Sequence, residues 1–275
     1  MLLDIFHETI YRYSAPASYS IQYLRLFPRT DGGQRILSWQ LETPGRRWRQ
    51  SDAYGNQIYA ISLTEPHSEI RIAARGLVET SAERGMLLPH DSNVPVLAFA
   101  LPTTLTAGGA DIEALAARTF GGSGLAGSSS VARDKLEALM GAIFQAMTYV
   151  KGATEVTATA AEALAQGSGV CQDMAHVFVA ACRARQIPAR YVSGYLLTED
   201  DAHAASHAWA EAWVADAHRG AGAWLGFDVT NNRQAGVELC RLAVGRDFMD
   251  AGPIRGMRIG GVDEEMHVSV AVAGQ

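Results

Sequence analysis

Residues 2–13 alternate apolar and polar positions, with Leu3, Ile5, His7, Thr9, Tyr11 and Tyr13 on one side. That period of two, carried by aromatic and β-branched side chains, predicts a half-buried strand. Pro16 and Ser18 interrupt it, and residues 19–27 (YSIQYLRLF) predict a second strand that stops at Pro28 and the turn-prone TDGG of 30–33. Two further runs, 36–41 and 58–63, flank a loop at 51–56 carrying Tyr54-Gly55-Asn56, and 69–78 is another strand-like segment. No helical period occurs before residue 80. This first part therefore reads as an antiparallel, β-sandwich-like unit with one face buried and one wet. Pro89, Pro95 and Pro102 then punctuate an irregular connection to a second unit.

From Ile112 the period changes. Asp111 is placed to cap a helix over 112–120, and the GGSGLAGSSS of 121–130 forbids its continuation and reads as a surface loop with no binding role. Over 132–149, Leu136, Leu139, Met140, Ile143, Phe144 and Met147 recur at helical spacing and predict one core-facing stripe. An alanine-rich helix over 158–166 ends at Gly167 and Gly169. The next helix begins at Cys171, presents Met174, Val177, Phe178, Ala181 and Cys182 at intervals of three or four, and stops before Pro188. Strands follow at 189–197, 207–214 and 224–229, with a turn-rich loop at 217–223 and a final edge strand over 265–272. Helices followed by a run of strands make an α+β class, because βαβα alternation is missing. The predicted division is 1–100, the N-terminal β domain and linker, and 101–275, a second domain.

Composition narrows the possibilities. With 48% hydrophobic and 19% charged residues over 275 positions, the chain is an ordinary globular one, long enough to bury a sizeable core. A net charge of -6 without a dense Lys/Arg run argues against nucleic acid as a partner. No apolar stretch is long enough to span a membrane. The start, MLLDIFHETIYRYS, lacks the basic lead of a signal peptide. The 3 cysteines, Cys171, Cys182 and Cys240, have neither CxxC spacing nor disulfide-scaffold density, so reduced thiols and a cytoplasmic location are expected.

The candidate chemistry centres on GSGVCQDMAH, residues 167–176. A cysteine at a helix start is placed to be a thiolate, because unpaired backbone N–H groups favour negative charge there. The alternative is a buried structural cysteine, but such a residue needs no glycine turn to hold its sulfur at a cleft rim. On the strand HAWAEAWV, His207 shares a face with Trp209, Glu211 and Trp213, while Ala208, Ala210, Ala212 and Val214 make a small-residue face suited to close packing on the cysteine helix. His207 is either a proton acceptor for the thiol or a surface histidine beside aromatic core. Asp228, at the end of an apolar strand in WLGFDVTNN, is either the carboxylate that fixes the histidine tautomer or a turn aspartate. Spacing alone does not bring the three together. Nor does it suggest zinc: His203 and His207 fall on a loop and strand, where a separation of four does not align ligands.

Taken with PARYVSGY at 188–195, these segments resemble the bacterial branch of the transglutaminase-like superfamily, the papain-like cysteine proteins. The likeness covers roughly residues 130–275, and the strand-rich start resembles the β domain that often precedes that core. It implies a papain/transglutaminase-like core, in which a helix carrying the nucleophile packs on an antiparallel sheet, with Cys171 as nucleophile, His207 as base and Asp228 as orienting acid. The usual Asp-Pro-Thr is here Asp228-Val229-Thr230, a change of turn stiffness rather than of chemistry. Backbone N–H groups at Cys171, with Gln172 and more loosely Gln166, are the oxyanion candidates. Tyr191, Tyr195 and Trp209 are candidate groove walls that would otherwise be core, and His176 is expected buried and hydrogen-bonded.

The implied reaction is attack on an amide carbonyl of a peptide or protein substrate, needing no cofactor and no metal. Water resolving the thioester makes an amidase or peptidase, and an amine makes a transferase. Hydrolysis is favoured because no EF-hand-like calcium loop is present. The competing expectation is a non-catalytic binding protein whose N-terminal β domain offers an edge strand such as 19–27 to a partner.

Overall fold

The computed structural model describes the chain except for residues 31–32, 82–86, 122–132, 198–205, 217–220 and 275. Most of the Gly-Ser-rich stretch, His203, His218 and much of the 217–223 loop thus lie outside the described residues. In chain order the first strands are β1 (Leu2–Leu24), β2 (Gln34–Glu42), β3 (Arg46–Ser51), β4 (Gln57–Leu63) and β5 (His67–Thr80). Then come α1 (Ala110–Phe120), α2 (Arg133–Ala146), β6 (Thr148–Tyr149), α3 (Ala160–Gln166), β7 (Ser168–Gly169) and α4 (Cys171–Arg183). The chain closes with β8 (Ala189–Leu196), β9 (Ser206–Asp216), β10 (Ala221–Asp228), β11 (Arg233–Gln234), β12 (Leu239–Gly245), α5 (Phe248–Ala251), β13 (Ile254–Val262) and β14 (Glu265–Gly274).

The two N-terminal strands expected on either side of Pro16 are one strand, β1, of 23 residues. Its ladder shifts register between Arg12 and Ala17 and again between Ala17 and Tyr19. Pro16 sits inside that irregularity, where its missing donor removes no regular ladder bond. Each half of β1 is flanked on both sides: residues 2–12 by β5 and β14, and 20–24 by β4 and β13. Residues 19–24 are therefore not the edge that the sequence suggests. Among the described residues the outer strands of this seven-stranded sheet are β2, β3, β13 and β14. The closing run 265–272 does form an edge strand, and it does so on the sheet that residue 2 begins, across the division drawn at residue 100. The alternation of β1 is realised as expected, with Leu3, Ile5, His7, Thr9, Tyr11 and Tyr13 all buried.

The second sheet has order β11-β10-β9-β8-β12 and is antiparallel throughout. Its small-residue face, Ala210, Ala212 and Val214, shares one core with Val177, Phe178 and Ala181 of α4 and with Leu136, Leu139, Met140 and Ile143 of α2. Phe144 is the exception in the predicted stripe and is exposed. The α1 cap is Gly109 rather than Asp111, which lies one position inside the first turn, where its charge still complements the helix dipole. The two sheets meet through Tyr195, Cys240 and Leu242, which join the core of Leu3, Ile5, Leu24 and Ile61. The Tyr195 hydroxyl and His7 Nδ1 are hydrogen-bonded at 2.8 Å across that junction. Among the described residues no helix is long and apolar enough to cross a membrane.

Candidate active site

Each end of the cysteine segment is fixed by backbone chemistry. Gly167 closes α3 in the left-handed region at φ 67, and its N–H bonds the Ala163 and Leu164 carbonyls at 3.1 Å. Ser168 and Gly169 then pair in parallel with Thr148 and Tyr149. Gly169 matters for space, because a Cβ there would stand 2.6 Å from Asp173 Oδ2. That oxygen accepts from Val170 N at 2.8 Å and from Thr154 Oγ1 at 2.6 Å, so the carboxylate ties the helix start to the preceding loop. The first intrahelical donors to reach the Val170 carbonyl are Asp173 N (3.0 Å) and Met174 N (3.2 Å). The N–H groups of Cys171 and Gln172 precede them, in the first turn where helix donors have no intrahelical acceptor.

Cys171 is half-buried against the cluster of Ala175, Tyr191 and Ala208. His207, opposite Gly194 in the β8/β9 ladder, is 8% exposed. Its Nε2 is bonded to Asp228 Oδ1 at 2.8 Å, and its ring also hydrogen-bonds the Cys171 sulfur, which leaves Nδ1 as the nitrogen on that side. Trp209 stacks beneath the ring, with centroids 6.3 Å apart and planes at 25°. Asp228 ends β10 fully buried, and its Oδ2 accepts from Asn231 Nδ2 at 2.7 Å, with Arg233 Nε at 3.5 Å.

Burial acts to lower the His207 pKa, but the bond to Asp228 and the contact with Cys171 outweigh it and raise it to about 10. Burial likewise acts to raise Asp228, and His207, Asn231 and Arg233 together bring it below its usual value. The favoured pair is an imidazolium held by a carboxylate. His176 behaves oppositely: buried against Tyr191, with Nε2 accepting from Phe248 N at 3.1 Å, it is lowered to about 3 by burial and by Arg183, and stays neutral. Burial raises the thiols of Cys182 and Cys240.

Sulfur, imidazole and carboxylate thus form one hydrogen-bonded row, while the other residues singled out in the sequence lie elsewhere. Gln172 Nε2 donates to the Val156 carbonyl at 3.0 Å, and Gln166 Nε2 to the Ala153 carbonyl at 3.2 Å and Ser168 Oγ at 3.1 Å. Both amides hold the 150–157 segment beside the helix start. Tyr191 lies buried beside Cys171, Tyr195 is in the inter-sheet core bonded to His7, and Trp209 is buried under the histidine. Most of the large face of β9 is thus an interior layer rather than a groove wall: Trp209 packs with Val192, Leu196, Ala235, Leu239 and Val244, and the partly buried Trp213 packs against Trp224. Asn231 and Arg233 carry no mark in the sequence beyond their place in the turn after Asp228.

Residues 3–79 match the bacterial transglutaminase-like N-terminal region, and residues 119–229 match the transglutaminase-like superfamily. The same fold occurs in a candidate cysteine protease from Cytophaga hutchinsonii, with a TM-score of 0.75 and 23% identity over 100% of this chain and 91% of that one. An α+β protein of the transglutaminase-like fold class is thereby defined. This chain belongs to the transglutaminase-like superfamily. It is 30% identical to an uncharacterized protein of Mycobacterium leprae over 98% of both chains. It is also 30% identical to an uncharacterized protein of Mycobacterium tuberculosis, over 91% of this chain and 85% of the relative.

Proposed function

We propose that the protein hydrolyses an amide or peptide bond through a thioester on Cys171, with His207 moving the proton and Asp228 holding the imidazole. One observation carries the reading: the His207 ring is bonded on one side to a buried carboxylate and on the other to a sulfur at a helix start. The thiolate attacks the carbonyl carbon and the π pair moves to oxygen. Collapse expels the amine, which takes the His207 proton, and water then attacks the thioester with His207 accepting its proton. The first-turn N–H of Cys171 faces the developing oxyanion. Hydrolysis is preferred to transfer because Cys171 is only half-buried, leaving the thioester open to water. The substrate class is a peptide or protein, with no cofactor called for.

The test is incubation of reduced protein with a peptide library and a primary-amine mixture, with products read by mass spectrometry. Cleaved amides without amine adducts are expected. Amine adducts in place of free acids would replace hydrolase by transferase. Complete inertness would favour a non-catalytic protein that binds partners through its N-terminal β domain.

A further inference from the structure

We infer that the outer face of the N-terminal sheet, where β3, β4, β1 and β13 lie side by side, docks one short amphipathic helix of a partner protein whose apolar stripe is flanked by acidic residues. The inference lies beyond the catalytic reading and uses none of its residues. The register shift between Ala17 and Tyr19 turns Ser20, Gln22 and Leu24 inward, all buried, and leaves Tyr19, Ile21 and Tyr23 on the opposite face. Paired residues in a ladder project to the same side, so neighbouring strands extend this surface. Tyr19, Ile21 and Tyr23 pair with Ile259, Met257 and Arg255 of β13, and through Ala60 of β4 the row of Tyr23 reaches Trp48 of β3. Trp48 is 52% exposed, Tyr23 39%, Met257 68% and Ile259 65%. Large apolar side chains gathered on one face and left this open mark an interaction site.

Charge and size select the occupant. Elsewhere the same face is wet: over β2, β5 and the first half of β1 it carries the ion pairs Arg12–Glu69, Arg71–Glu8, Arg75–Glu42 and Arg35–Glu79. The apolar rows hold no carboxylate, although the chain as a whole has a net charge of -6. Their charges are Arg255, at one edge, and Arg46, opposite Ser62 at the other. Arg255 Nη1 donates to the Met249 carbonyl, and neither guanidinium is ion-paired among the described residues. Acidic groups on an incoming surface therefore complement this face, whereas a second copy would bring only further arginines to it. With strands ~4.8 Å apart and a rise of ~3.3 Å per residue, the patch measures about 15 Å by about 13 Å. That is far short of the ~800 Å² that each partner of a stable dimer contributes. It matches an α-helix ~10 Å in diameter over about two to three turns. Two arginines hold a chain only weakly on anionic lipid, which makes a bilayer the poorer fit.

The test is selection of helix-length random peptides, displayed on phage, against the native full chain, followed by fluorescence anisotropy of the enriched peptides in solution. Enriched sequences are expected to repeat apolar residues every three or four positions with Asp or Glu beside them. Their binding is expected to weaken at least about tenfold with Trp48→Ala or Met257→Ser, and to weaken with Arg46→Glu, while each variant melts close to wild type. No enrichment, or binding indifferent to these substitutions, would overturn the inference. So would apolar residues alternating at every second position, which describe a strand added to the β3 edge. A wild-type dimer in light scattering that Met257→Asp splits would assign the face to a second copy instead. Flotation with phosphatidylserine vesicles that Met257→Asp abolishes would assign it to a membrane, and either result sinks the helix.

Discussion

Cys171→Ala is expected to abolish amide cleavage, and His207→Ala to lower kcat/KM by on the order of 10³-fold or more, with the fold intact by thermal melting. The expectation follows from how the row is wired. Without the imidazole the amine has no proton donor placed at the sulfur, and Asp228 is left fully buried with only Asn231 and Arg233 to hold its charge. The same wiring sets a pH limit. His207 holds its proton up to about 10, so cleavage is expected to fall as pH rises through that value and the leaving amine loses its acid. The stability of the pair has the same upper bound: it is fully present below the unfolded histidine value of 6.5 and is lost as pH rises through about 10. Asp228, being lowered, contributes above its unfolded 3.8 and loses its contribution as pH falls through its folded value. A wild-type rate that keeps climbing past pH 10, or a His207→Ala enzyme within tenfold of wild type, would contradict this wiring.

The second large effect lies under the sheet. Arg190 is fully buried; its Nε donates to Glu211 Oε2 at 2.6 Å, its Nη1 to Asp91 Oδ1 at 3.1 Å, and its guanidinium lies 4.4 Å from the Trp224 ring centroid. Arg241 reaches the other Glu211 oxygen at 3.2 Å, and Arg29 the other Asp91 oxygen. The layer thus joins β8, β9 and β12 to the segment that follows β5. Arg190→Met leaves the buried Glu211, and the partly exposed Asp91, each short of a cation, which is expected to cost about 3–5 kcal/mol in urea unfolding at pH 7, most of it at Glu211. Arg190→Met combined with Glu211→Leu is expected to recover part of that loss, because the buried carboxylate that has lost one of its two cations is then removed as well. A single-variant loss below about 1 kcal/mol would show that the layer contributes little.

Much of this architecture is legible in the sequence wherever one face of an element is buried. The β1 alternation, the α4 stripe and the small-residue face of β9 are all read directly from period. What escapes is instructive. β12, LCRLAVG, is buried along its whole length, so it shows no alternation. β3, RRWRQS, is exposed along its whole length, so it shows none either. Pro16 reads as a strand end because sequence cannot reveal a ladder shifting register around it. The site divides in the same way. Cys171 is marked by its glycine turn and His207 by its strand, but Asn231 and Thr154 owe their places to tertiary packing that no local pattern encodes. Tyr195 looks like a groove wall only until the N-terminal sheet is seen to cover it, and Trp209 only until Ala235 and Leu239 are seen packed with it.

The most direct measurement is competitive alkylation of the native, reduced protein by limiting iodoacetamide, mapped by peptide mass spectrometry in wild type and His207→Ala. The half-exposed Cys171 is expected to take the label well ahead of the buried Cys182 and Cys240, at a rate that drops at least about tenfold when His207 is removed. Equal labelling of the three thiols, or a Cys171 rate indifferent to His207, would contradict a working sulfur–imidazole pair.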